Sequence, residues 1–139
     1  MKRTDFSVDW LFAACAPDTE LLPWNAQFTP VDLPHDWQIR HADDLYRDGT
    51  LFYRKYFFVT DVPGTRRMLW FGGAYMDTTV FVNGTEVGQW KYGYTSFWFD
   101  ITDALHEGQN EVLVRCNLRH PNSRWYSGAG LYRNVELWE

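Results

Sequence analysis

Glu111-Val112-Leu113-Val114-Arg115-Cys116-Asn117-Leu118 is the most regular stretch of this chain. Val112, Val114, Cys116 and Leu118 fall on one side of an extended backbone, with Glu111, Arg115 and Asn117 on the other. That period of two is what a strand with one buried face imposes. The polar turn Glu107-Gly108-Gln109-Asn110 precedes it. Before that turn, Phe97, Phe99 and Ile101 alternate with Ser96, Trp98 and Asp100 as a second strand, and Thr102-Asp103-Ala104-Leu105 has an N-cap hydroxyl and room for one helical turn. Further upstream, Asn83-Gly84 supplies the two-residue turn of a hairpin that joins a strand over residues 78–83 to one over 86–92. Residues 67–72 and 51–60 predict two more strands, the latter closed by the turn signal Asp61-Val62-Pro63-Gly64.

Toward the N-terminus, Phe6, Val8, Trp10 and Phe12 alternate with Ser7, Asp9 and Leu11 and predict a single opening strand. Pro17, Pro23, Pro30 and Pro34 then make residues 15–36 an irregular covering segment. Residues 38–49 are dominated by polar side chains and read as a surface loop. Toward the C-terminus, Asn122-Ser123-Arg124-Trp125-Tyr126-Ser127-Gly128-Ala129-Gly130 leads into a last strand through Val135 and Leu137. Gly128 and Gly130 suit backbone angles or close approaches that exclude a Cβ. Seven to nine short strands with no long amphipathic helix predict an all-β chain, a jelly-roll β-sandwich, with a closed barrel as the alternative. The absence of repeats or a linker makes residues 1–139 one domain.

The chain has 139 residues and a net charge of −5, with 8 Trp, 8 Tyr and 10 Phe. It is long enough to bury roughly 68% of its unfolded surface. The acidic balance excludes a basic field for nucleic acid or an anionic membrane, and no window is long and apolar enough to span one. Two cysteines far apart in sequence read as reduced, inert thiols of a cytoplasmic protein.

Retaining hydrolysis of a glycoside needs two carboxylates about 5 Å apart with divergent environments. Asp43-Asp44 reads as solvated loop charge, and Glu136 and Glu139 read as solvent-facing on the end strand. His35, His41, His106 and His120 lack metal-ligand spacing, and Ser127 lacks a nucleophile elbow. No catalytic residue, metal or cofactor is therefore expected in this chain. Hydrogen-bonding groups among rings do stand out: Asn122, Arg124, Trp125 and Tyr126, with Tyr46 and Asp48 in the earlier loop. Sugars take this combination, because their C–H faces stack on rings and their hydroxyls need partners. The same rings could equally serve core or interface packing.

Six motifs in order resemble the N-terminal sugar-binding domain of glycoside hydrolase family 2, which includes β-galactosidases, β-glucuronidases and β-mannosidases. They are Phe6-x-x-Asp9-Trp10-x-Phe12, Leu33-Pro34-His35-Asp36-Trp37 and Phe52-Tyr53-Arg54-Lys55-x-Phe57. Phe71-Gly72-Gly73 with Val80-x-Val82-Asn83-Gly84 comes next. Gly93-Tyr94-x-Ser96-Phe97-x-Phe99-Asp100-Ile101-Thr102 and Arg124-Trp125-Tyr126-Ser127-Gly128-Ala129-Gly130-Leu131-Tyr132-Arg133-Asn134-Val135 complete the set. The resemblance implies a galactose-binding-domain-like jelly roll, followed in the family by an immunoglobulin-like domain and a TIM barrel that carries the catalytic glutamates. Both are absent from this chain.

It further implies that Asn122 binds hydroxyls of a terminal β-linked sugar in a retaining exo-glycosidase. Carbohydrate, bound weakly in isolation, and the downstream domains of the same polypeptide are then the expected partners. An independent carbohydrate-binding module and a purely structural domain are the alternatives, separated by whether coplanar aromatic rings are exposed on one sheet face or at a loop rim.

Overall fold

The computed structural model describes residues 2–35, 49–60, 64–74, 77–91, 95–118, 130–131 and 133–139. Ten strands run in chain order: β1 (Arg3–Asp5), β2 (Trp10–Cys15), β3 (Thr29–Val31), β4 (Gly49–Val59), β5 (Met68–Phe71), β6 (Thr78–Val82), β7 (Thr85–Trp90), β8 (Phe97–Asp100), β9 (Gly108–Leu118) and β10 (Val135–Trp138). They form a four-stranded sheet, β1-β10-β5-β8, and a six-stranded sheet, β3-β2-β4-β9-β6-β7. Every pairing in both sheets is antiparallel. The two sheets make the expected all-β sandwich of jelly-roll type.

The alternation that opens the sequence argument holds in β9, where Val112, Val114, Cys116 and Leu118 are all 0% exposed. Facing them across the sandwich are Leu69 and Phe71 of β5, Val135 of β10 and Phe97 of β8, all in one hydrophobic cluster with Trp10, Tyr53 and Leu131. Phe97 stacks on Phe71 at 5.0 Å and on Trp90 at 5.6 Å, so aromatic rings bridge the sheets. Burial pushes the Cys116 thiol up to about 12, while the half-exposed Cys15 is raised less and both cysteines are unpaired.

The opening segment departs from its single-strand reading. β1 belongs to the four-stranded sheet and β2 to the six-stranded one. Asp9, at φ 61°, turns the chain between them. The alternation misled because Phe6 and Trp10 are both buried for a different reason: the Trp10 indole N–H donates to the Phe6 carbonyl at 2.7 Å across the bend. The covering segment also contains β3, an edge strand whose Pro30 needs no ladder partner for a missing N–H. Thr102 does not cap its one-turn helix with its hydroxyl. That hydroxyl lies 2.6 Å from an Asp100 carboxylate oxygen, which also accepts from the Thr102 N–H and holds the Asp100 carboxyl below its usual range.

Glu139 is not solvated either: its carboxylate accepts from the Arg67 Nε at 2.9 Å, and Arg67 is 6% exposed.

The hairpin turn forms as the Asn-Gly pair requires, with Asn83 at φ 51° and Gly84 at φ 81°. Asn83 does more than turn. Its amide nitrogen donates to the Ala104 carbonyl at 2.8 Å and to Asn110 Oδ1 at 2.7 Å, and its Oδ1 accepts from the Glu111 N–H at 2.9 Å. An Asn83→Ala variant is expected to lose roughly 2–4 kcal/mol, since three partly buried partners lose a bond and alanine resists this φ. Chemical denaturation with unchanged slope and a lower midpoint would show it, and an unchanged midpoint would refute it.

Candidate functional site

Strand ends from both sheets lie at one rim of the sandwich. In the six-stranded sheet, Gly49 at the start of β4 pairs with Leu118 at the end of β9. Thr78 at the start of β6 lies between Cys116 and Trp90, near the ends of β9 and β7. In the four-stranded sheet, Phe71 at the end of β5 meets Val135 at the start of β10 and Phe97 at the start of β8. The short link from β5 to β6 ties these two sets of strand ends together. Both stretches singled out for sugar chemistry therefore begin or end here: one runs into Gly49, the other departs from Leu118.

The six side chains named for that chemistry, Asn122, Arg124, Trp125, Tyr126, Tyr46 and Asp48, lie outside the described residues, as does Gly128. What is described is how their flanks are seated. His35, 4% exposed, shares a 2.7 Å hydrogen bond from its Nδ1 with the Tyr53 hydroxyl, and Phe12 packs against both rings at 4.5 and 5.0 Å. The His35 backbone N–H donates to the Leu131 carbonyl at 2.9 Å. This bond joins the Leu-Pro-His segment to the end of the glycine-rich stretch. Gly130 sits at φ 86°, and a Cβ there would overlap the Tyr53 hydroxyl. Glycine is required twice over, by backbone angle and by space.

A second feature was not anticipated. On the outer face of the four-stranded sheet, Trp98, Trp70 and Glu136 stand opposite one another on β8, β5 and β10. Trp70 stacks on Trp138 with rings 6.1 Å apart and 10° from parallel, and the Arg3 guanidinium lies 4.5 Å over Trp138. Glu136, read from sequence as solvent-facing, accepts the Trp138 indole N–H at 2.9 Å and is half-buried. The signal was available: Trp70, Trp98 and Trp138 each occupy the outward position beside core residues at Leu69, Phe97 and Leu137. Beside Trp70, an open cleft of about 720 Å³ is bounded by Gly72, Ser96, Arg133, Asn134 and Glu136.

Residues 23–139 match the family of glycosyl hydrolases family 2, sugar binding domain. The chain belongs to this family. It is 38% identical to a β-galactosidase of Bacteroides ovatus over 98% of its own length and 18% of that protein. It is 35% identical to a β-glucuronidase of Bacteroides fragilis over 82% of the chain and 19% of the relative. A glycosyl hydrolase family 2 member from Bacteroides cellulosilyticus superposes with a TM-score of 0.82 at 31% identity, covering 99% of this chain and 20% of that one. The chain thus spans about a fifth of the length of these relatives, and it is the sugar-binding domain of the family.

A Gly130→Ala variant is expected to be destabilised by more than about 2 kcal/mol, from the left-handed backbone together with the overlap on Tyr53. Because Tyr53→Phe by itself removes the hydrogen bond to His35, the double variant Gly130→Ala with Tyr53→Phe should lose less than the sum of the two single losses. Thermal melts of the four proteins check this, and equal stability of Gly130→Ala and the parent would remove the steric account.

Proposed function

We propose that this domain is the non-catalytic, sugar-contacting part of a retaining exo-β-glycosidase, most like a β-galactosidase. The catalytic carboxylates would belong to a TIM barrel, preceded by an immunoglobulin-like domain, elsewhere in the same polypeptide. The observation that carries the reading is the rim: Gly49 and Leu118, from which the two candidate stretches extend, are direct ladder partners. The two stretches, far apart in sequence, are thereby anchored side by side at one end of the sandwich, and loops anchored on a scaffold are where binding residues concentrate. The relatives' names support glycosidase activity, and the paired hydrogen-bonding and aromatic side chains support a sugar as the ligand. A cytoplasmic setting is supported by the two unpaired thiols.

Asn122 is the residue proposed to bind a hydroxyl of the terminal sugar, and Arg124, Trp125, Tyr126, Tyr46 and Asp48 are proposed as further sugar contacts. Contact residues of this kind raise the rate only where their bonds strengthen in the transition state. The intact polypeptide is expected to hydrolyse p-nitrophenyl β-D-galactopyranoside faster than the glucuronide, and the 139-residue chain to hydrolyse neither. Turnover by the chain alone would overturn the non-catalytic reading, and preference for the glucuronide would overturn the galactosidase one. In the intact enzyme, Asn122→Ala should lower kcat/KM about 2- to 12-fold, the equivalent of one hydrogen bond of roughly 0.5–1.5 kcal/mol. The same change in the chain alone should leave stability within about 0.5 kcal/mol. Unfolding of that variant would make Asn122 structural.

A further inference from the structure

We propose that the cleft beside Trp70 is a second carbohydrate site, taking one pyranose ring of a β-linked saccharide on the outer face of the four-stranded sheet. A pyranose needs a flat apolar surface for its C–H face and polar groups at the edge for its hydroxyls. Trp70 supplies the surface. Its ring is held by the parallel stack on Trp138, which is itself fixed by the Glu136 carboxylate and by Arg3 above it. The edge is supplied by Ser96, Asn134 and Glu136, all lining the same cleft. Glu136 spends one acceptor site on the Trp138 N–H, and a carboxylate offers about four.

Gly72 shapes the wall of the cleft. Its N–H donates to the Asn134 carbonyl at 2.9 Å, and a Cβ there would come within 3.1 Å of that carbonyl and of Arg133 Cβ and within 3.2 Å of the edge of the Trp70 ring, so a side chain would crowd the wall. The volume, about 720 Å³, falls within the range of small-ligand sites.

None of the cleft residues is among the six proposed for the terminal sugar, so its test can fail while the glycosidase reading stands. The probe is methyl β-D-galactopyranoside titrated into the 139-residue chain, followed by the tryptophan indole N–H signals in ¹H–¹⁵N spectra. The choice of galactoside rests on the function proposed above, and methyl β-D-glucuronide in a parallel titration separates the two questions. Saturable movement of the Trp70 and Trp138 signals by either sugar, with a millimolar constant, is expected. Trp70→Ala should abolish it. Glu136→Gln, which keeps an acceptor for the Trp138 N–H, should weaken binding several-fold with the fold intact.

Absence of movement at about 100 mM of both sugars would overturn the proposal. So would movement that persists unchanged in Glu136→Gln and in a folded Trp70→Ala.

Discussion

The pairing of β4 with β9 governs this molecule. Eleven consecutive residues of each strand face one another without a slip, from Gly49 opposite Leu118 to Val59 opposite Gly108. Because side chains alternate with a period of two, a shift of β9 by one residue would carry Val112, Val114, Cys116 and Leu118 out of the core together. That penalty fixes the register, and the register fixes the neighbours. β2 is set against β4 and β6 against β9, so the six-stranded sheet grows outward from this one ladder. The rim marked by Gly49 and Leu118 is where that ladder ends.

The fold was legible wherever one physical demand acted on a segment alone. In β9 the demand was a single buried face, and in Asn83-Gly84 it was a left-handed turn. Reading failed where two demands produced the same pattern. Phe6 to Phe12 alternates as a strand would, but the period arises from a corner at Asp9 that moves the chain from one sheet to the other. Glu139 looked like a solvent-facing end residue because its partner, Arg67, is 72 positions away and nothing local announces a long-range ion pair. For the candidate site, the glycine at 130 could be read as an obligatory one. That its neighbour is Tyr53 could not, since the contact depends on β4 running beneath the rim.

The aromatic content divides by position. Phe97, Phe71 and Trp90 are spent on joining the sheets, and Tyr53 with Phe12 and His35 on seating the chain that leads to the rim. Trp70, Trp98 and Trp138 stand on the outer face of the four-stranded sheet, Trp70 and Trp138 half-buried against each other and Trp98 exposed. The rings are thus divided by which side of a strand each occupies.

The two ends of the described chain meet. Lys2 and Glu139 each donate a backbone N–H to the other's carbonyl at 2.8 Å, and β1 meets β10 over three residue pairs. Hydrogen bonds between antiparallel strands run perpendicular to them. A pull that separated the two ends would therefore load those bonds singly and in succession, like the teeth of a zipper, instead of shearing them all at once. The eleven-pair ladder at the centre would feel the tension only after this seam had opened. The sandwich is mechanically soft along one edge and stiff across the middle, and the rim lies at the end away from the seam.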